Sequence, residues 1–311
     1  MIKNNKRTIL VTGATGIVGS EVVKQLESSS SNHNIIRAAI HSQNKTNMLT
    51  HDNNNNIEIV KIDYDKPETL SPALNNVDKL FLLTLPAPNK IGDTFSNVVK
   101  ESKKNGINYI VKLSVMGADL EPGTTTGRLH RQEEKIIEES GIPYTILRPN
   151  GFMQNFVRAG LIIRNKNAFY LPPGDAKVSF VDARDVAAVA SELLLTEGNG
   201  SGQQHDNNAY DITGPEVLSY SQAAEILSKE TGRKISYTET LEEDVRKGMK
   251  AIGMEDWYID AMMEFYNNAL ELYNINMGEW WSRVTTVAEQ ITGRKPISFG
   301  QFAKDYADAF R

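Results

Sequence analysis

The sequence predicts an α/β fold: a doubly wound parallel sheet with a smaller, mainly helical C-terminal lobe. Three observations predict it. Short apolar runs alternate with helical patterns through the first half of the chain, as right-handed strand–helix–strand crossovers require. From Leu241 to Ile291 the pattern is helical, with no strand signal. The 311 residues suffice for one large domain plus a lobe.

The elements follow in order. Thr8–Thr12 reads as the first strand. Lys3, Lys6 and Arg7 before it imitate a signal peptide, but Thr12 and Gly13 end the apolar run too early for one. Ile17–Leu26 reads as a helix with Val18, Val22, Val23 and Leu26 on one face. After the polar loop Ser28–Asn34, Ile35–Ile40 is the second strand. The asparagine run Asn53–Asn56 reads as a solvated loop. Ile57–Ile62, Lys79–Thr84, Tyr109–Ser114 and Tyr144–Leu147 are strands three to six, with helices near Thr69–Leu74, Asp93–Lys104 and Gly127–Ser140 between them. Val178–Val181 and Arg184–Leu195 form one further strand–helix unit, with Asp182 placed to cap the helix. Ser219 and Gln222 have capping-box spacing ahead of a helix over Tyr220–Thr231.

This order assigns residues 1–150 to the sheet domain, with 178–204 returning to it, and residues 151–177 and 205–311 to the lobe. The lobe is rich in Met and aromatic residues, among them Met249, Met254, Trp257, Tyr258, Met262, Met263, Phe265, Tyr266, Tyr273, Trp280 and Trp281. The default reading of such a stretch is helical core or an oligomer interface. A lid over an apolar substrate is the sharper reading, and the two are compatible.

Composition excludes several classes of function. A net charge of −5 carries none of the basic footprint of a nucleic-acid binder. The absence of cysteine removes disulfides, thiolate zinc sites and cysteine nucleophiles, and is compatible with a reducing cytoplasm. His33, His41, His51, His130 and His205 show no metal-ligand spacing, so no metal is expected. No apolar run is long enough to span a bilayer. The expectation is a cytoplasmic monomer or homodimer whose redox chemistry, if any, comes from an organic cofactor.

The strongest motif is Gly13-Ala14-Thr15-Gly16-Ile17-Val18-Gly19, which follows a strand and opens a helix. That context is the one a dinucleotide-binding Rossmann fold needs. Gly13 permits the tight turn, Gly16 lets backbone approach a pyrophosphate, and Gly19 lets helix and strand pack closely. The first N–H groups of the helix would meet the phosphates. NAD-preferring sites place a carboxylate at the end of the second strand to hold the ribose 2′-OH. Here the strand ends at His41-Ser42, and no carboxylate follows until Asp52. His41, Ser42 and Lys45 suit a 2′-phosphate, so NADPH is expected to be preferred over NADH. Asp63 and Tyr64 are placed for the adenine, although Asp63 equally suits a strand-end turn. Thr84, Leu85 and Pro86, after the fourth strand, should line the nicotinamide ribose.

Together Gly13–Gly19, Ile36–Ser42, Lys61–Asp65, Leu80–Pro86, Lys112–Asp119, Gly141–Phe156 and Gly174–Val189 resemble the NmrA-like family of atypical short-chain dehydrogenases. The segments Tyr144–Phe156 and Phe180–Ala187 carry most of the likeness; Asp211–Glu216 and Thr292–Arg294 also fit. Within the family the chain is most similar to bacterial NAD(P)H quinone reductases and to azo-dye and triphenylmethane-dye reductases. The resemblance implies a reductase of quinones or other electron-poor aromatic small molecules. A dinucleotide-binding redox sensor of the NmrA type is the alternative. A sugar-nucleotide epimerase or dehydratase ranks last.

Better-known short-chain enzymes use a Tyr–Lys pair and a Ser. Counted back from Gly141, the Tyr and Lys places fall on Thr126 and His130, and Ser114 or Val115 falls near the Ser. Two roles are open to His130: binding the ribose or supplying a proton, or standing as a partly buried histidine capped by Glu134. A quinone or cationic dye accepts hydride without a tuned acid, so the missing tyrosine does not forbid transfer. Asn150, Gly151, Phe152, Met153 and Asn155, after the sixth strand, are expected to floor the substrate slot, and the Met-rich and aromatic helices to roof it.

Overall fold

The computed structural model describes residues 6–29, 34–41, 56–85, 91–121, 123–172, 174, 176–196, 204–274 and 278–311. Lys3, His33, Ser42, Lys45, His51, Asp52, the asparagines 53–55 and Pro86 lie outside them. In chain order the first elements are β1 (Thr8–Val11), α1 (Ile17–Ser28), β2 (Ile35–Ile40), β3 (Ile57–Lys61), α2 (Leu70–Leu74), β4 (Lys79–Leu82), α3 (Ser96–Lys104), β5 (Tyr109–Leu113), α4 (Thr125–Ser140) and β6 (Tyr144–Pro149). Next come α5 (Gln154–Arg158), α6 (Gly160–Lys166), β7 (Ala168–Leu171), α7 (Ala183–Leu195), β8 (Asn208–Ile212), α8 (Tyr220–Thr231) and β9 (Ser236–Glu239). The chain ends in α9 (Glu242–Ala251), α10 (Asp256–Asn274), α11 (Gly278–Trp281), α12 (Val287–Thr292), α13 (Phe299–Asp305) and α14 (Ala307–Phe310).

Residues 1–118, 128–148 and 183–211 form one compact unit. Its strands run in the order β3-β2-β1-β4-β5-β6-β8, and β1 pairs in parallel with both β2 and β4. The chain builds outward from β1 to β3, then returns to the other side of β1 for β4, β5 and β6. Doubly wound sheets bind ligands at such a reversal, beyond the carboxyl ends of the strands, here those of β1 and β4. The sheet is covered on both faces, which is why β1, β4 and β5 are unbroken apolar runs apart from their lysines and Thr8.

Side chains alternate across the strands. Leu10, Leu80, Leu82 and Ile110 form one core with Leu70, Leu74, Val98, Val99 and Ile137 of α2, α3 and α4. On the other side α1 packs along α7, and Gln25 Nε2 donates to the Arg184 carbonyl at 2.8 Å. The Thr196 carbonyl just beyond α7 accepts from Lys79 Nζ at 2.8 Å and from Arg7 Nη1 at 3.2 Å. Cations there complement the negative end of the helix dipole.

The second unit comprises residues 119–127, 149–182 and 212–311. Phe156 centres its core, with Phe169, Phe180 and Phe299 edge-on at centroid distances of 5.3, 5.4 and 5.1 Å. β7 and β9 pair in a two-stranded parallel ladder. A second cluster gathers Val245, Ile259 and Met263 with Met249, Met254, Met262 and Tyr266, so those methionines pack as helical core.

Two expectations change. Val178–Val181 is not a strand. Val178 bridges Leu218 antiparallel, Val181 bridges Phe152 in parallel, and Ser179 N–H donates to the Trp281 carbonyl at 3.0 Å. Backbone partners change from residue to residue, so no ladder propagates. The sheet also takes its seventh strand from β8, residues 208–212, inside the stretch the sequence reading assigned to the lobe.

Candidate functional site

The loop between β1 and α1 is shaped by its glycines. Gly13 has φ +63°, a left-handed conformation that costs glycine nothing. A Cβ on Gly19 would lie 2.2 Å from the Gly13 carbonyl oxygen, so no side chain fits there while the loop keeps its course. Gly16 caps α1 with extended backbone, and its own N–H donates back to the Gly13 carbonyl at 2.8 Å. No side chain caps α1, and its first turn has no acidic residue. The positive end of the helix therefore has no side-chain cap of its own, as a phosphate cradle would need. Thr15, Gly16 and Ile17 reach the surface, whereas the Val18 side chain is buried in the core.

Thr12 braces this loop. Its hydroxyl donates to the carbonyls of Phe81 and Leu83 at 3.1 and 3.2 Å and accepts from Leu83 N–H at 2.8 Å. The Tyr64 hydroxyl donates to the same Leu83 carbonyl at 3.3 Å, and burial raises its pKa. Leu85 is exposed.

At the end of β2 the exposed His41 ring stands with Nε2 3.6 Å from Asp63 Oδ2. Asp63 also closes a turn, because its Oδ1 accepts from Asp65 N–H at 3.1 Å. Burial raises the Asp63 pKa, but the Asp65 N–H, His41 and Lys66 together outweigh it and leave the pKa lowered. Asp63 thus does what a strand-end turn residue does and holds His41 as well. A place beside adenine remains an expectation for it.

Two buried charge networks lie side by side on α4. In the first, Lys112 Nζ, from the penultimate residue of β5, is 2.9 Å from Glu133 Oε2 and donates to the Thr84 hydroxyl at 3.0 Å and the Leu113 carbonyl at 2.5 Å. The Thr84 hydroxyl donates to Glu133 Oε2 at 2.6 Å. His130 Nδ1 faces the same oxygen at 3.9 Å and is buried without a hydrogen-bond partner. Burial, helped by the Lys112 charge, lowers the His130 pKa well below its usual 6.5. His130 is therefore neutral at pH 7 and is no reservoir of protons.

In the second network Glu134 is fully buried. Its Oε1 accepts from the Ser114 hydroxyl at 2.6 Å and Arg148 Nε at 2.9 Å, and its Oε2 from Arg148 Nη2 at 2.7 Å and Arg131 Nη1 at 3.1 Å. Glu134 therefore does not cap His130, as the sequence reading allowed; Glu133 is the neighbouring carboxylate. The Ser114 hydroxyl is likewise committed to Glu134. Lys112 and Glu133 were missed in the sequence, although a lysine inside the apolar run Tyr109–Leu113 was the signal that could have found them.

The residues expected to floor a substrate slot belong to the second unit. Asn150 is buried. Its Nδ2 donates to the Ser179 hydroxyl and the Trp281 carbonyl, each at 2.8 Å, and its Oδ1 accepts from Gly151 N–H at 2.7 Å. It anchors the segment that carries Trp281. The Met153 side chain is buried in the core around Phe156 and Phe180, so it is packing rather than lining. Gly151 and Phe152 are half-buried, and Asn155 is exposed. Among the described residues no cluster could hold a metal ion, and no helix is long and apolar enough to cross a membrane.

The family model of the NmrA-like family matches residues 5–291. The chain belongs to the NmrA-like family. It is 33% identical over 302 residues to the NAD(P)H azoreductase of Xenophilus azovorans, covering 97% of this chain and 99% of that one. It is 26% identical over 256 residues to quinone oxidoreductase 2 of Escherichia coli strain K12, covering 82% and 86%. The solved structure of Citrobacter sp. triphenylmethane reductase complexed with NADP(H) matches at a TM-score of 0.75 and 23% identity, covering 96% of this chain and 99% of that one. These findings support the oxidoreductase expected of an NmrA-like chain with this fold.

Proposed function

We propose that this NmrA-like chain is an NADPH-dependent reductase that delivers hydride to a flat, electron-poor acceptor such as a quinone or an azo or cationic dye. The observation that carries the reading is the glycine loop, whose Gly19 admits no side chain and whose helix N-terminus has no cap of its own. The azoreductase and quinone reductase relatives support the reaction class.

In this reading Gly13–Gly19 hold the pyrophosphate, and His41, with Ser42 and Lys45, holds the 2′-phosphate. Asp63 and Tyr64 flank the adenine. Thr84, Leu85, Pro86, Ser114 and His130 are assigned to the nicotinamide ribose, and Gly151, Phe152 and Asn155 to the acceptor. The bound cofactor supplies the hydride. The chain's own residues supply orientation rather than acid. The Thr84 and Ser114 hydroxyls already donate to carboxylates, and His130 is neutral at pH 7. Acceptors that take hydride first and draw protons from water suit such a site better than simple ketones do.

Stopped-flow absorbance of reduced nicotinamide, with enzyme in excess and quinones of graded reduction potential, tests the reading. Rates should rise with acceptor potential, saturate with acceptor concentration, and move deuterium from one nicotinamide face only. If no quinone or dye oxidises bound NADPH faster than free NADPH, the chain is a dinucleotide sensor and the reductase reading fails.

A further inference from the structure

The Lys112–Glu133 pair is a costly feature for a core. Burying two charges sacrifices several kcal/mol of hydration per ion, and an apolar pair of similar size is often as stable or more so. Lys112 lies between the buried Val111 and Leu113, where an apolar residue would pack. All three of its donors are engaged, by Glu133, Thr84 and Leu113. Glu133 Oε2 takes Lys112 and Thr84, and it also faces His130 Nδ1. That nitrogen is buried and has no partner. A lone pair turned toward a carboxylate is repelled, whereas an N–H is attracted. The proton of the neutral ring therefore belongs on Nδ1, and Nε2 keeps the free lone pair.

We propose that Lys112 and Glu133 are positioning residues that hold His130 as its Nδ1–H tautomer, so that Nε2 accepts a hydrogen bond from a ribose hydroxyl of the bound dinucleotide. The ligand half of this assignment rests on the reductase reading above. Glu133 orients the ring. Lys112 and Thr84 balance the Glu133 charge, so the carboxylate orients His130 without pulling a second proton onto it. Thr84 ties the group to the carboxyl end of β4, where the strand order reverses. The 3.9 Å gap between Nδ1 and Glu133 Oε2 is the kind of contact that tightens when a ligand seats on the opposite nitrogen.

The test is long-range proton–nitrogen correlation NMR on histidine-labelled protein, with the His130 signals assigned through His130→Asn. Free wild-type protein should show Nδ1 protonated and Nε2 unprotonated, and NADPH should shift the Nε2 signal. Glu133→Gln should lose the tautomer preference. The pair Lys112→Met with Glu133→Leu removes both charges while keeping the volume, so it should fold even if the single variant does not. It should show the Nε2–H tautomer and an NADPH dissociation constant raised about fivefold, the scale of one lost hydrogen bond. An Nε2–H tautomer in free wild type, or an unchanged tautomer and affinity in the double variant, overturns the positioning role. Failure of wild type to bind NADPH overturns the ligand half together with the reductase reading, while the tautomer in the free protein still decides what Lys112 and Glu133 do.

Discussion

At the scale of single residues, His130 links protonation to stability. Its folded-state pKa is lowered by burial and then by Lys112, whereas in the unfolded chain it stays near 6.5. Below that pH the unfolded state binds a proton that the folded state refuses, so stability falls as pH drops below about 6.5. Urea midpoints for wild type and His130→Asn at pH 7.5, 6.5 and 5.5 should show the wild type losing more stability on acidification; parallel curves would mean that the ring is not held neutral. The other histidines are common to both proteins and cancel. A second residue-scale expectation concerns Gly19. An alanine Cβ would sit 2.2 Å from the Gly13 carbonyl oxygen. The loop must shift, at about 1–3 kcal/mol for overpacking. Gly19→Ala should lower the thermal midpoint and weaken NADPH binding together, and a variant with wild-type affinity would remove the loop from the cofactor site. The glycine spacing made this position legible from sequence. Lys112 and Glu133 were harder to see, because their pairing depends on β5 and α4 meeting in space, and Glu133 differs from its neighbour Glu134 only in which way the helix turns it.

At the scale of elements, legibility followed periodicity. β1, β2, β4 and β5 are apolar runs bounded by turn residues, and the helix over Tyr220–Thr231 was marked by its cap. The structure shows that full capping box, with Ser219 Oγ accepting from Gln222 N–H at 3.2 Å and Gln222 Oε1 accepting from Ser219 N–H at 2.9 Å. β7, β8 and β9 escaped notice. Each is four or five residues long, and exposed or half-buried positions interrupt its apolar pattern. Val178–Val181 misled in the opposite sense, having the composition of a strand while its backbone partners lie in separate segments. Asn150 misled likewise, because its partner Trp281 is 131 residues away. The crossing of residues 180 and 214 yields a prediction at this scale. A Cβ on Gly214 would fall 1.9 Å from the Phe180 carbonyl oxygen. Gly214→Ala should therefore force two backbones apart and cost more than Ser219→Ala, whose lost cap is about 1 kcal/mol. Chemical denaturation of the two variants ranks them, and an equal or smaller loss in Gly214→Ala would show that the crossing yields easily.

At the scale of the whole molecule, the residues expected to touch the dinucleotide are concentrated in one compact unit. Gly13–Gly19, His41, Asp63, Tyr64, Thr84, Ser114 and His130 all fall within residues 1–118 and 128–148. A ligand that binds only the folded form stabilises it by mass action, by about 2.7 kcal/mol at a hundredfold excess over its dissociation constant. NADPH should therefore slow amide exchange first in β1, in the loop that follows it and at the end of β2, all in that unit. The choice between NADPH and NADH tests the reading of the second strand. His41 ends that strand with its ring exposed, and its neighbour Asp63 is already engaged by His41, Lys66 and the Asp65 N–H. A phosphate would meet an exposed imidazole that can donate a hydrogen bond, whereas a bare ribose hydroxyl meets no free carboxylate at the strand end among the described residues. Charge-assisted contacts of about 1.5–3 kcal/mol correspond to tenfold or more in affinity. At equal concentrations, NADPH should raise the thermal midpoint by about 2–4 °C more than NADH, as one such factor of ten does in a chain of this class. His41→Ala should shrink that difference without changing the response to NADH. Equal shifts with the two cofactors in the wild type would mean that the end of β2 does not recognise the phosphate, and the preference for NADPH would fall with it.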